Sequence, residues 1–311
     1  MSTQETAPTS CLEANGTSYA YRLIGHSPNA TRPLLLLNHF RSNIDLWDPT
    51  LVNNLTILGG GRQVITYDYA GHGHSGGTVA TSIPSFSSNL IAFLQVLLVL
   101  LKVEQVDVLG FSLGGYVAQQ LVLDAPDLVG SLILSGTGPS FGPGLVRPMA
   151  EVQSAIMAPT PAGPPTIAAF FPGVVAEEGE AWLNRSFAGR AAIAGQNGEP
   201  ELASFLTGPG VANLTKAYLA WDADPLPYAL LQSVQKNVLV TAGQNDLVVP
   251  NQNAWVLAHQ LPNANFVQYP TSGHGHIFQY AGLYAKQVVD FLGAEWPRSP
   301  FHAGSVMALL A

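Results

Sequence analysis

The sequence predicts an α/β protein: a mostly parallel, doubly wound sheet carrying one large insertion. Three observations point that way. Six short apolar runs recur along the chain, helix-period patterns follow three of them, and a Pro- and Gly-dense stretch then breaks the alternation. Runs that are apolar throughout suit strands buried on both faces, because helices cover both sides of a parallel sheet.

The elements follow in order. Between Leu12 and Leu23, Asn15-Gly16 sits among strand-forming residues and signals a hairpin, since a tight turn needs residues that accept a positive φ. Leu34–Leu37, Val64–Tyr67, Val106–Leu109, Leu132–Leu134, Val238–Thr241 and Phe266–Tyr269 read as the six buried strands. Phe86–Lys102, Gly115–Leu123 and Tyr280–Leu292 read as helices. The apolar run Leu90–Leu101, broken only by Gln95, is too short to span a bilayer and reads as a core helix. From about Pro139 to Leu226 the regularity fails, and bulky residues such as Phe141, Phe170, Trp182 and Trp221 gather there. That segment reads as a cap over the sheet's carboxyl edge. The expected division is core 1–138, cap 139–226 and core 227–311.

Composition excludes several classes. At 47 % apolar residues the 311-residue chain is no disordered tail, and only 10 % of it is charged, against about 25 % in an ordinary domain. Twelve basic and 20 acidic residues give a net charge of −8 with no Lys/Arg run, so nucleic-acid binding is not expected. Cys11 stands alone, which leaves no internal disulfide and no cysteine metal cage. Met1–Pro8 lacks the basic and apolar regions of a secretion signal; with no membrane span read, the expectation is a cytoplasmic protein. The sequons at Asn15, Asn29, Asn54, Asn184 and Asn213 then read as coincidence. His39, His72, His74, His274 and His276 lack zinc-type helical spacing, so no metal is expected. Gly71-His72-Gly73-His74-Ser75-Gly76 spells a dinucleotide fingerprint, but no helical pattern opens at Gly76 and no acid lies about 20 residues on. It reads as a tight turn, and no cofactor is expected. The tail Gly293–Ala311, apolar from Val306 to Leu310, reads as docking on the body or on a second subunit, which leaves monomer or homodimer open.

The chemistry concentrates in three places. Gly110-Phe111-Ser112-Leu113-Gly114 follows the Val106–Leu109 strand and precedes a helix, and a sharp strand–turn–helix bend exposes its serine. Serine is a poor nucleophile without a base, and the base needs an acid to orient it. Asp246 follows the strand Val238–Thr241, and His274 follows the strand Phe266–Tyr269, in the order Ser, Asp, His. Each residue alone is ordinary; their order at successive strand ends is what carries weight.

On these motifs, with Tyr67-Asp68-Tyr69-Ala70-Gly71-His72-Gly73-His74-Ser75 and Ser272-Gly273-His274-Gly275, the chain resembles the α/β-hydrolase fold superfamily from Gly16 to Leu292. The resemblance implies Ser112 as nucleophile, His274 as general base and acid, and Asp246 as its orienter. His276 is the weaker histidine, since it falls into the following helix. Ser135-Gly136-Thr137 offers no competing acid. The oxyanion donors implied are the backbone N–H groups of Leu113 and Phe40. At the second, the family's usual His-Gly is replaced by Asn38-His39-Phe40. His39 reads mainly as a loop tether, and Arg41 stands between tether and substrate contact. Candidate pocket residues are His39, Arg41, Phe141, Phe170 and Trp221.

The implied function is a serine hydrolase acting on an ester, lactone or thioester of a small-to-medium hydrophobic substrate, with secondary metabolism one implied setting. The same triad also serves C–C bond hydrolases of diketones, acyl transferases, cyclases and perhydrolases, and a ligand-binding receptor can be built on this fold. Dehalogenases and epoxide hydrolases fit less well, because they use Asp where this chain has Ser112.

Overall fold

The computed structural model describes residues 1–26, 31–161, 163–173 and 176–294. The sequon at Asn29 and the tail beyond residue 294 lie outside them. Eight strands form one sheet: β1 (Ser10–Ala14), β2 (Thr17–Ile24), β3 (Leu34–Leu37), β4 (Val64–Tyr67), β5 (Val106–Phe111), β6 (Val129–Ser135), β7 (Val238–Gly243) and β8 (Ala264–Tyr269). Their order is β1-β2-β4-β3-β5-β6-β7-β8. The hairpin pairs antiparallel and joins β4 antiparallel, whereas β4 through β8 run parallel. Asn15 and Gly16 take positive φ at the hairpin tip, as a two-residue turn of this kind requires.

Apolar runs become central strands because both faces are covered. Leu35 and Leu37 face a core with helix α2 (Ile83–Leu101) and helix α3 (Leu113–Asp124). Leu34 and Leu36 face a second core with α1 (Pro49–Leu58) and the C-terminal helix α10 (Ala281–Gly293). The edge strand β8 departs from the expected pattern. Only Tyr269 in it is buried, because among the described residues no ninth strand flanks it.

Three helices differ from the sequence reading. Helix α2 begins at Ile83 rather than Phe86, because Pro84 falls in the first turn, where its missing N–H costs nothing, and Ser82 caps it. Its buried face packs on β1 and α3, while Val96, Val99 and Leu100 are exposed, so the run Leu90–Leu101 is half core and half surface. Among the described residues it is the one helix long and apolar enough to cross a membrane, by length and composition alone. Helices α1 and α9 (Asn251–Gln260) lacked a strong apolar stripe. Asp48 starts α1 by accepting the Thr50 N–H at 2.8 Å, with Pro49 at the first position.

Among the described residues, five α-helices lie between β6 and β7: α4 (Ala150–Met157), α5 (Pro164–Phe170), α6 (Ala176–Ala188), α7 (Pro209–Ala223) and α8 (Pro225–Leu230). The last runs past residue 226, so helical chain continues closer to β7 than expected.

Candidate active site

Parallel strands place their carboxyl ends on one edge, and residues just past those ends converge there. Phe40 follows β3, Ser112 follows β5, Asp246 follows β7 and His274 follows β8. The bend at Ser112 is steep, with φ 57° and ψ −117° between β5 and α3. Such a backbone is strained for a residue with a Cβ, and it persists only where the surroundings enforce it. The flanking glycines are that enforcement: a Cβ on Gly110 would meet the Gly114 carbonyl oxygen at 2.3 Å, and one on Gly114 would meet the Leu37 carbonyl oxygen at 2.3 Å.

Asp246 and His274 meet. The His274 Nδ1–H donates to Asp246 Oδ2 at 2.8 Å, and both side chains are fully buried. Asp246 Oδ1 accepts the N–H groups of Val248 at 2.9 Å and Val249 at 2.8 Å, which fixes the carboxylate's orientation. With Nδ1 carrying the proton, Nε2 is left as a bare lone pair. It is buried, and among the described residues it has no hydrogen-bond partner. His274 and Ser112 line the same cavity. No hydrogen bond joins them, and such contacts commonly tighten only when substrate arrives. His276 is occupied elsewhere: its Nε2 pairs with Thr241 Oγ1 at 2.9 Å, and burial pushes its pKa down to about 3.

The loop after β3 solves the missing-glycine problem by straining an arginine. The Ser42 N–H donates to the His39 carbonyl at 3.0 Å, closing a turn in which Arg41 takes φ 69°. Asn38 anchors the turn: it accepts from Trp47 Nε1 at 2.6 Å and donates to the Tyr67 carbonyl at 2.8 Å. Sequence reasoning missed Asn38, although an amide opposite Trp47 was the available signal. Among the described residues neither the Phe40 nor the Leu113 N–H has an acceptor in the protein, so both are free to bind a ligand oxygen.

The cavity and the open solvent at its mouth together hold about 690 Å³ of space between atoms. Of the expected pocket residues, His39, Arg41 and Phe170 line it. The His39 ring stands against Phe111 with centroids 5.4 Å apart and beside Phe170 at 5.6 Å. Burial and the nearby His274 push the His39 pKa down to about 3, so it is neutral at ordinary pH. Two expected residues are not among these walls. Trp221 is buried in the α2–α3 core against Tyr116, at 5.8 Å between ring centroids, because α7 packs that face against helices α2 and α3. Phe141 is half-exposed on a separate, more polar concavity. Ile156, Ile167, Leu183 and Val248, which the sequence reading did not single out, form much of the actual wall. The Phe170 carbonyl accepts the Gly275 N–H at 2.9 Å, which straps α5 to the His274 loop. A second concavity, which includes Tyr116, Val152 and Tyr218, meets the first at Phe40, Ser112, Ile156 and Val248.

Comparison with known proteins settles the family. The model of the alpha/beta hydrolase fold family matches residues 32–279, well over half of the chain. The chain belongs to the alpha/beta hydrolase fold family. Among curated relatives of this alpha/beta hydrolase fold protein is one from Azorhizobium caulinodans named "Putative carbamate hydrolase RutD". It is 24 % identical over 265 residues, covering 85 % of this chain and 92 % of that one. Among solved structures, an alpha/beta hydrolase fold protein from Chitinophaga pinensis superposes with a TM-score of 0.78 at 29 % identity, over 94 % of this chain and all of that one. The enol-lactonase of Burkholderia xenovorans LB400 superposes at 0.68 with 22 % identity, over 92 % of this chain and 100 % of that one, and shows the shared fold. The family and the curated relative support a hydrolase.

Proposed function

We propose that this hydrolase cleaves an ester, lactone or thioester of a small-to-medium hydrophobic substrate through an acyl-serine intermediate. The observation that carries the reading is the 2.8 Å Asp246–His274 pair, with its unpartnered Nε2 in the cavity that Ser112 also lines. In the first half-reaction Nε2 takes the Ser112 proton as Oγ attacks the carbonyl carbon. The resulting oxyanion accepts the free N–H groups of Phe40 and Leu113, which are already in place before charge develops. His274 then passes its proton to the leaving alcohol or thiol. In the second half-reaction His274 takes a proton from water, the hydroxide attacks the acyl carbon, and the proton returns to Ser112. The helices of 139–226 act as the cap: they supply Ile156, Ile167, Phe170 and Leu183 to the cavity and exclude bulk water.

The test is intact-mass labelling with a fluorophosphonate, on wild type and Ser112→Ala. One adduct on wild type and none on the variant is expected, with ester turnover falling at least about 10⁴-fold in the variant. Folded wild-type protein that takes no adduct would overturn the reading.

A further inference from the structure

The cavity is apolar on most sides, yet one wall carries a buried positive charge that the protein does not neutralise. Arg41 is 5 % exposed and lines the cavity together with Ser112 and His274. Its Nη2 donates to the carbonyl oxygens of Ile156, at 3.0 Å, and of Ala158, at the end of α4. Its guanidinium carbon lies 5.7 Å from the centroid of the Phe40 ring. Among the described residues no carboxylate pairs with it. Its Nη1 is buried without any hydrogen-bond partner.

The chain's other buried arginines show how unusual this is. Arg22 pairs with Asp45, Arg62 with Asp107, and Arg190 with Glu199. A guanidinium stays protonated in proteins, and burying it unpaired is costly. Carbonyl dipoles at the end of α4 compensate only in part. Arg41 also holds a positive φ that its side-chain bonds help enforce. A mere tether for α4 would need Nη2 alone. What remains, an unpartnered and buried Nη1 on a side chain that lines an apolar cavity, is half of an anion-binding pair.

We infer that the natural substrate carries a carboxylate, held by the Arg41 guanidinium while its apolar body lies along Ile156, Ile167 and Phe205. This deepens the proposed hydrolase reading, and it names the substrate class as apolar esters or lactones bearing a free acid. Arg41 thus joins the oxyanion loop, the end of α4 and the substrate's charge, so binding an acid fixes the loop that presents the Phe40 N–H.

The test compares octanoate with its neutral isostere octanamide, by calorimetry, on wild type, Arg41→Met and Arg41→Lys. Wild type is expected to bind octanoate roughly 10- to 100-fold more tightly than the amide. That preference disappears in Arg41→Met and survives in part in Arg41→Lys, whose single ammonium keeps the charge but not the fork. Equal binding of acid and amide by wild type overturns the inference even if Arg41→Met fails to fold, and so does no octanoate binding at all. A preference that persists undiminished in Arg41→Met also overturns it, since the acid then sits on the Phe40 and Leu113 N–H groups instead. Fluorophosphonate labelling of the same wild-type sample separates the two readings. Labelling without acid preference removes the Arg41 inference alone, and acid preference without labelling removes the hydrolase reading alone.

Discussion

Two buried polar clusters lie near each other in this molecule and are built on opposite principles. Around Asp45 every charge is answered. Arg22 Nη2 donates to Oδ1 at 2.5 Å, His74 Nε2 meets Oδ2 at 2.7 Å, and the Ala203 N–H donates to Oδ2 at 2.8 Å. Arg190 reaches Glu199 at 2.6 Å and the Ala7 carbonyl at 2.7 Å. Burial alone would raise the Asp45 carboxyl, but His74 and Arg22 hold it down at about 2. Around Ser112 the accounting is left open: His274 Nε2, His39 Nε2 and Arg41 Nη1 are all buried without partners. An unsatisfied buried polar group costs about 1–3 kcal/mol. Where the fold uses up its polar atoms, the cluster holds chain together. Where it leaves them free around one cavity, they are available to something the fold does not contain.

The sharpest way to break this contrast is to cut each cluster at its acid. Asp246→Asn is expected to lower turnover about 10⁴-fold, because an amide no longer fixes the His274 tautomer. The urea midpoint should move little, since Asn can still accept the Val248 and Val249 N–H groups. Turnover within tenfold of wild type would remove Asp246 from the mechanism. Asp45→Ala should do the reverse. It strands Arg22 and His74 in the interior, at a cost of about 3–5 kcal/mol, while the protein that remains folded takes a fluorophosphonate at the wild-type rate. A cost under about 1 kcal/mol in urea unfolding would mean that the cluster does not hold the fold as its geometry implies.

The same contrast explains what the sequence could show. The places of Ser112, Asp246 and His274 at the strand ends were legible because each follows a short buried strand, and a Gly-x-Ser-x-Gly bend leaves a local signature. Leu34–Leu37 and Val64–Tyr67 were legible to the residue, since a run buried on both faces must be apolar throughout. The Asp45 cluster was not legible, because its partners come from positions 22, 45, 74, 190 and 199 and only the fold brings them together. Trp221 and Phe141 failed as pocket residues for the related reason that apolar composition does not reveal which face of an irregular helical segment turns inward. Arg41 was visible in the sequence as a charge undecided between loop tether and substrate contact, but its missing partner became visible only in three dimensions.

A smaller effect sharpens the comparison through pH. Burial pushes the pKa of His39 and His276 down to about 3 and that of His72 to about 4, whereas the unfolded chain titrates them near the ordinary histidine value. Folded-state values below the unfolded ones mean that the stability is complete above about pH 6.5 and is lost as pH falls toward 4. Each histidine should cost about 1 kcal/mol between pH 7.5 and 5.5. Asp68 opposes them. Burial pushes its carboxyl up to about 7 against three hydrogen-bond and charge contributions that lower it, so it gains stability as pH falls through 7. It offsets roughly one histidine, which leaves a net loss of about 2 kcal/mol over that interval. Urea midpoints at the two pH values measure it. His72→Phe, in a ring site beside Tyr69 and Phe86, should remove about a third of the histidine part of the slope and leave turnover at pH 7.5 unaltered. An unchanged slope in that variant would mean that His72 takes up its proton while the protein is still folded, and the burial of its ring would then not be what sets the acid limit.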